Sequence, residues 1–113
     1  MKTWHLPFRA VDRDKFEALR RGEKSVETRA GGPKYRGMEE NDLAVISCAG
    51  EKLERRIVNL RHFDTLDELF AAVPYEQVFP WAKDLDEAKS FYDAYPGYVD
   101  RIKGYGILAF ELE

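Results

Sequence analysis

The chain has 113 residues, 44% hydrophobic, 35% charged and 13% aromatic, with 18 Lys and Arg against 21 Asp and Glu for a formal charge of −3. That describes one domain with enough apolar residues for a core, and the acidic balance argues against a surface that is a general counter-ion for nucleic acid. No apolar run approaches the roughly 18 residues needed to span a bilayer, and Met1-Lys2-Thr3-Trp4-His5 lacks a signal-peptide core, so a cytoplasmic protein without membrane association is expected.

Lys2 to Phe8 alternates Trp4, Leu6 and Phe8 against Thr3 and His5, the pattern of a half-buried strand. Asp12 to Arg21 predicts a helix with Phe16 and Leu19 on one face and Gly22 as its stop; Asp12 and the pair Asp14/Glu17 are equally good caps. The run Lys24-Ser25-Val26-Glu27-Thr28-Arg29 predicts a strand entered from that helix. Alternation places Ser25, Glu27 and Arg29 on one face and Val26 and Thr28 on the other, with Val26 in the core. Lys24 falls by parity on the face away from Glu27, but so soon after Gly22 the chain can twist or bulge, which leaves a Lys24–Glu27–Arg29 constellation open. It reads either as a solvated ion-pair ladder or as the polar wall of a cleft. Ala30 to Gly37 is a glycine-rich basic loop of the kind that carries function on a rigid frame.

Asn41-Asp42 predicts a turn into the strand Leu43–Cys48, joined through Ala49 to Lys52 to a strand from Leu53 to about Leu60 as a hairpin. The single cysteine, Cys48, reads as a small core residue more readily than as a nucleophile. His5 and His62 stand apart from any ligand-like spacing, so no metal and no cofactor are expected. Thr65 with Glu68 opens a helix that Pro74 ends or extends, and Asp84 with Glu87 opens another that runs to Pro96-Gly97. Tyr105 to Leu112 closes the chain as a strand. Trp4, Leu6, Val45, Ile57, Leu108 and Phe110 are expected to face inward. The fold class is α+β: one domain over residues 1–113, a small β-barrel of about five to six strands flanked by short helices beside a cleft.

The Gly-x-Lys-x-x-Glu-x-Arg spacing of Gly22, Lys24, Glu27 and Arg29, the turn before Leu43 and the closing Tyr105-Gly106-Ile107-Leu108-Ala109-Phe110 resemble the ASCH domain family of the PUA-like superfamily, over nearly the whole chain. Members usually show Gly-Asp where this chain has Asn41-Asp42, a mild departure because Asn tolerates the left-handed backbone. The resemblance implies a cleft beside the signature strand that holds RNA, a nucleoside or a modified base. Some small bacterial members hydrolyse the N4-acyl amide of N4-acetylcytidine with a Lys-x-x-Thr motif and a helical glutamate. Lys24 matches that lysine and Glu76 falls near the glutamate, but Glu27 stands where the threonine would be. A carboxylate replaces an activated hydroxyl poorly, although it can act as a base for water.

Two function classes follow. In one, an amidohydrolase on N4-acylated cytidine, Lys24 and Glu27 handle protons, Ser25 is the candidate hydroxyl, Glu76 is the partner carboxylate, and Arg29, Tyr35, Arg36 and Tyr105 hold the base and ribose. In the other, a non-catalytic RNA-binding domain, Arg20, Arg21, Lys24, Arg29, Lys34 and Arg36 form a basic cluster with Arg55, Arg56 and Arg61 across the hairpin. Tyr105 either stacks on a base or packs, and Tyr75 to Trp81 offers a third option, an aromatic protein-interaction segment.

Overall fold

A computed structural model describes residues 1–113. The alternation at the start forms β1 (Thr3–Phe8), and a short 3-10 turn leads into α1 (Arg13–Arg21), which buries Phe16 and Leu19. Gly22 ends the helix with φ 78°, a left-handed position that glycine occupies without strain. Neither expected cap forms, because Asp12 turns its carboxylate to Arg9 and Lys15 instead of to the helix N–H groups. The chain enters β2 (Val26–Ala30), loops through a 3-10 turn at Pro33–Tyr35, and makes the hairpin β3 (Leu43–Cys48) and β4 (Glu51–Phe63).

Both expected capping interactions beyond the hairpin are present. The Thr65 hydroxyl accepts from Glu68 N–H at the start of α2 (Leu66–Ala72), and Pro74 then begins α3 (Tyr75–Val78). Asp84 accepts from Glu87 N–H at the start of α4 (Leu85–Ser90), which tightens into a 3-10 turn at Phe91–Ala94. The sequence reading has no element between Gly97 and Tyr105, yet α5 (Tyr98–Tyr105) fills that stretch, so β5 is Ile107–Leu112 and starts later than expected. Tyr98-Val99 and Ile102 are too few apolar positions to define a helical stripe by themselves. Gly106 separates the two elements at φ 74°, where an added Cβ would lie 2.5 Å from the Phe63 carbonyl oxygen.

The five strands form one curled sheet in the order β1-β3-β4-β5-β2, a small half-barrel with β1 parallel to β3 and all other pairs antiparallel. One strand makes the curl. The first half of β4 pairs with β3 and the second with β5, bending at a bulge around Asn59, whose φ is 50°. Two cores result. Leu6, Ala44, Ile46, Ile57 and Phe110 fill the concave side with Phe16 of α1, while Val26, Ala30, Ile107 and Ala109 meet Leu69, Val78, Tyr92 and Ile102 on the helix-covered side. Val45 corrects an expectation: it is half-buried and turned outward, because Ala44, Ile46 and Cys48 take the register positions beside Trp4, Leu6 and Phe8. An apolar run without alternation leaves the face to strand pairing. No helix is long and apolar enough to cross a membrane.

Candidate functional site

The two edge strands, β1 and β2, face each other across the barrel's open seam, and a cavity of about 180 Å³ lies there. Its walls are Pro7 and Phe8 of β1, Arg9, Asp12 and Lys15 on the way into α1, Lys24, Glu27, Thr28 and Arg29 around β2, and Phe79, Tyr95, Pro96 and Tyr98 from the helical side. Register explains which β2 side chains look in. Glu27 pairs with Phe110 and Arg29 with Leu108, so both lie on the concave face, whereas Thr28 pairs with Ala109 and its hydroxyl shares a hydrogen bond of 2.6 Å with Tyr92 Oη.

The solvated-ladder alternative is overturned. Lys24 and Glu27 are 4% and 5% exposed, and the Arg29 side chain is 11% exposed. Lys24 precedes the strand, which frees it from strand parity and lets its ammonium turn to Glu27. Its Nζ donates to the Val26 and Val78 carbonyls at 2.8 and 2.7 Å and lies 3.3 Å from Glu27 Oε1, so its three N–H groups all have protein partners. Glu27 in turn faces Lys24, the Thr28 N–H at 3.0 Å, and Arg29 Nε and Nη2 at 3.3 and 3.0 Å, which occupies its four acceptor positions. Arg29 sends Nη1 across the seam to the Pro7 carbonyl at 3.3 Å and lies over the Phe8 ring. Two of its five N–H groups remain uncommitted.

Burial pushes Lys24 below its ordinary pKa, and the nearby Glu27 offsets this only in part. Burial alone would raise Glu27, but Lys24, Arg29 and the Thr28 N–H together hold it below the ordinary carboxylate range. Arg29 is desolvated, yet Glu27 keeps it charged and raises its pKa. Burial also raises the phenols of Tyr95 and Tyr98, so both remain neutral hydroxyls. Ionised Glu27 with every lone pair engaged is a framework group; of the signature residues, Arg29 alone has donors to offer a ligand.

The other sequence candidates lie elsewhere. Ser25 is exposed, donates its backbone N–H to the Gln77 carbonyl, and does not line the cavity. Glu76 is exposed on α3, also outside the cavity, because it is Phe79 beyond that short helix that turns toward Lys24. Tyr35, Arg36 and Tyr105 share a second, shallower groove with Gly31, Gly32, Met38 and His62. There Tyr35 is buried against Trp4, Arg36 is exposed, and Tyr105 is 53% exposed with its carbonyl accepting from His62 Nε2. Arg9, Asp12, Lys15, Tyr95 and Tyr98 escape the sequence reading as site residues. Their only local signal is the density of charge between Arg9 and Lys15 and of tyrosine between Tyr92 and Tyr98. No group of three or more His, Cys, Asp or Glu side chains is placed to hold a metal ion.

No family model and no curated protein matches the chain. Two solved structures are similar along almost its whole length. The crystal structure of hypothetical protein PH0355 has a TM-score of 0.79 at 26% identity, covering 98% of this chain and 97% of that one. The solution NMR structure of protein PF0455 from Pyrococcus furiosus has a TM-score of 0.74, also at 26% identity, with coverage of 98% and 96%.

Proposed function

We propose that the seam cavity recognises a single pyrimidine nucleoside or modified base, in a domain of the ASCH type, and that it binds without cleaving. The observation that carries the reading is the burial of Lys24, Glu27 and Arg29 in one cavity wall, with unused donors on Arg29 alone. A pyrimidine presents a carbonyl and a ring nitrogen along one edge, which suits the free side of a guanidinium, and its faces suit the aromatic walls of Phe8, Tyr95 and Tyr98. The volume of about 180 Å³ is below the roughly 300 Å³ at which pockets for drug-sized ligands begin, which favours a base-sized group over a longer segment. Hydrolysis of an N4-acyl amide is less well supported. A general base works best with a pKa near the operating pH, whereas Glu27 is held low and already accepts from four donors.

Isothermal titration of cytidine and N4-acetylcytidine into the purified protein tests this, with ultraviolet absorbance followed over the same incubation. Binding is expected without spectral conversion, and Arg29→Gln and Arg29→Lys should each weaken it, since lysine keeps the charge but loses the planar fork. Binding indifferent to both variants would remove the reading, and conversion to cytidine would replace it with the amidohydrolase. RNA association is the second reading, favoured by the exposed Arg36 and Tyr105 of the shallower groove.

A further inference from the structure

The cavity inverts the charge of the chain that forms it. The protein carries −3 overall, yet four cations line the cavity, Arg9, Lys15, Lys24 and Arg29, against two carboxylates, Asp12 and Glu27. Each carboxylate bridges two cations. Glu27 joins Lys24 to Arg29 on the floor; Asp12, 8% exposed, accepts from Arg9 Nε at 2.8 Å and lies 3.1 Å from Lys15 Nζ. The floor triad therefore keeps one positive charge, whereas at the mouth the exposed Asp14, outside the cavity and 3.6 Å from Lys15, adds a second carboxylate to Asp12. Buried charges are ordinarily paired, and the single excess charge of desolvated Lys24 and Arg29 over Glu27 favours an anion in the cavity they line.

The unused donors say where it sits. Arg9 commits only Nε, leaving both Nη groups, and Lys15 has only Asp12 and, at 3.6 Å, Asp14 as anionic neighbours. Their side chains are 50% and 21% exposed, against 3% for Lys24, which places the outer triad at the mouth and the signature triad at the floor. The Arg9 guanidinium lies over Tyr95 and the Lys15 ammonium over Trp81, so aromatic rings as well as Asp12 fix both cations in place. A phosphate monoester carries about −1.5 to −2 at neutral pH and three acceptor oxygens, enough to take the free Nη groups of Arg9 and the Lys15 ammonium together.

We infer that the ligand carries a phosphate monoester held at the cavity mouth by Arg9 and Lys15, with Asp12 as the residue that positions both, so that the site takes a free nucleotide in preference to a nucleoside. This rests on the reading of the floor as a base site.

The test is titration of cytidine, cytidine 5′-monophosphate, cytidine 3′-monophosphate, ribose 5-phosphate and a cytidine-containing tetranucleotide into wild type and the Arg9→Gln/Lys15→Gln double variant, with circular dichroism as the folding control. One of the two monophosphates should bind wild type at least tenfold more tightly than cytidine, and that ratio should collapse toward one in the double variant. Asp12→Asn, as a separate protein, should reduce the same ratio. Equal affinity for cytidine and both monophosphates overturns the phosphate subsite and leaves the base reading standing. Ribose 5-phosphate binding as well as the preferred monophosphate supports the subsite and removes the base reading. A tetranucleotide tighter than either monophosphate by tenfold or more overturns the free nucleotide in favour of a strand, and no binding by any probe overturns both.

Discussion

The seam cavity and the groove beside Tyr105 both present arginine and tyrosine, but the cavity adds the carboxylates Asp12 and Glu27 and buries the charges on its floor, whereas the groove has no carboxylate and leaves its arginine in water. Each drew candidates from the sequence, the cavity Lys24, Glu27 and Arg29 and the groove Tyr35, Arg36 and Tyr105. In the cavity, every charge is fixed by a carboxylate or a carbonyl, and Lys24, Glu27 and Arg29 are desolvated. In the groove, Arg36 is exposed with no ion pair, and Tyr105 stands half in water. A desolvated guanidinium with two free N–H groups is pre-organised for one ligand orientation, while a solvated one contributes mostly long-range attraction. What the comparison teaches is that proximity in sequence to a motif says little about membership of the site.

The largest effect that would sharpen the contrast is on stability. Glu27→Ala leaves Lys24 and Arg29 buried without their counter-charge, and should cost about 3 to 5 kcal/mol in urea unfolding, the usual result of breaking a buried pair. Arg36→Ala should stay within about 0.5 kcal/mol of wild type, as surface substitutions do. Comparable losses in the two variants would break the distinction.

A smaller effect marks the contact between β2 and the helical side, where the Thr28 hydroxyl meets Tyr92. Tyr92→Phe removes the partner of the Thr28 hydroxyl and should cost about 1 to 3 kcal/mol, whereas Thr28→Val with Tyr92→Phe removes both polar groups and should recover part of that loss. If the double variant is no better than the single one, the bond is not what holds β2 against the helices.

Acid titration provides a reference carboxylate away from both sites. Asp42 accepts the Lys2 N–H at 3.0 Å, Trp4 Nε1–H at 2.9 Å and the Glu39 N–H at 2.9 Å, which pulls it from 3.8 to about 2. Because the folded value is the lower one, its contribution is complete above the unfolded pKa and is lost as the pH falls toward 2. The stability gap between wild type and Asp42→Asn should therefore be widest at neutral pH and narrow across that window. A gap independent of pH would show that the carboxylate's charge contributes nothing.

The smallest expected effect bears on RNA. If the groove instead of the cavity meets a ligand, log affinity for single-stranded RNA should fall steeply with log salt, and Arg36→Glu should weaken binding for every sequence. Salt-insensitive binding, or none at low salt, leaves the cavity as the site.

The sequence by itself determined β1 and β3, the Gly22 stop, the Thr65 and Asp84 caps, the hairpin and the shared face of Glu27 and Arg29, because each rests on local alternation, a cap or a turn residue. It also singled out Lys24, Glu27 and Arg29. Only the tertiary structure decided the rest. Val45 faces outward because strand pairing, not its own run, selects the face. Lys24 reaches Glu27 because it precedes the strand and finds a carbonyl contributed by Val78, 54 residues away. Arg9, Asp12 and Lys15 became cavity residues because β1 and β2, separated by α1 in sequence, end as the two edges of one curled sheet. Charge excess in a cavity is a sum over groups brought together by folding, and no window of the sequence contains that sum.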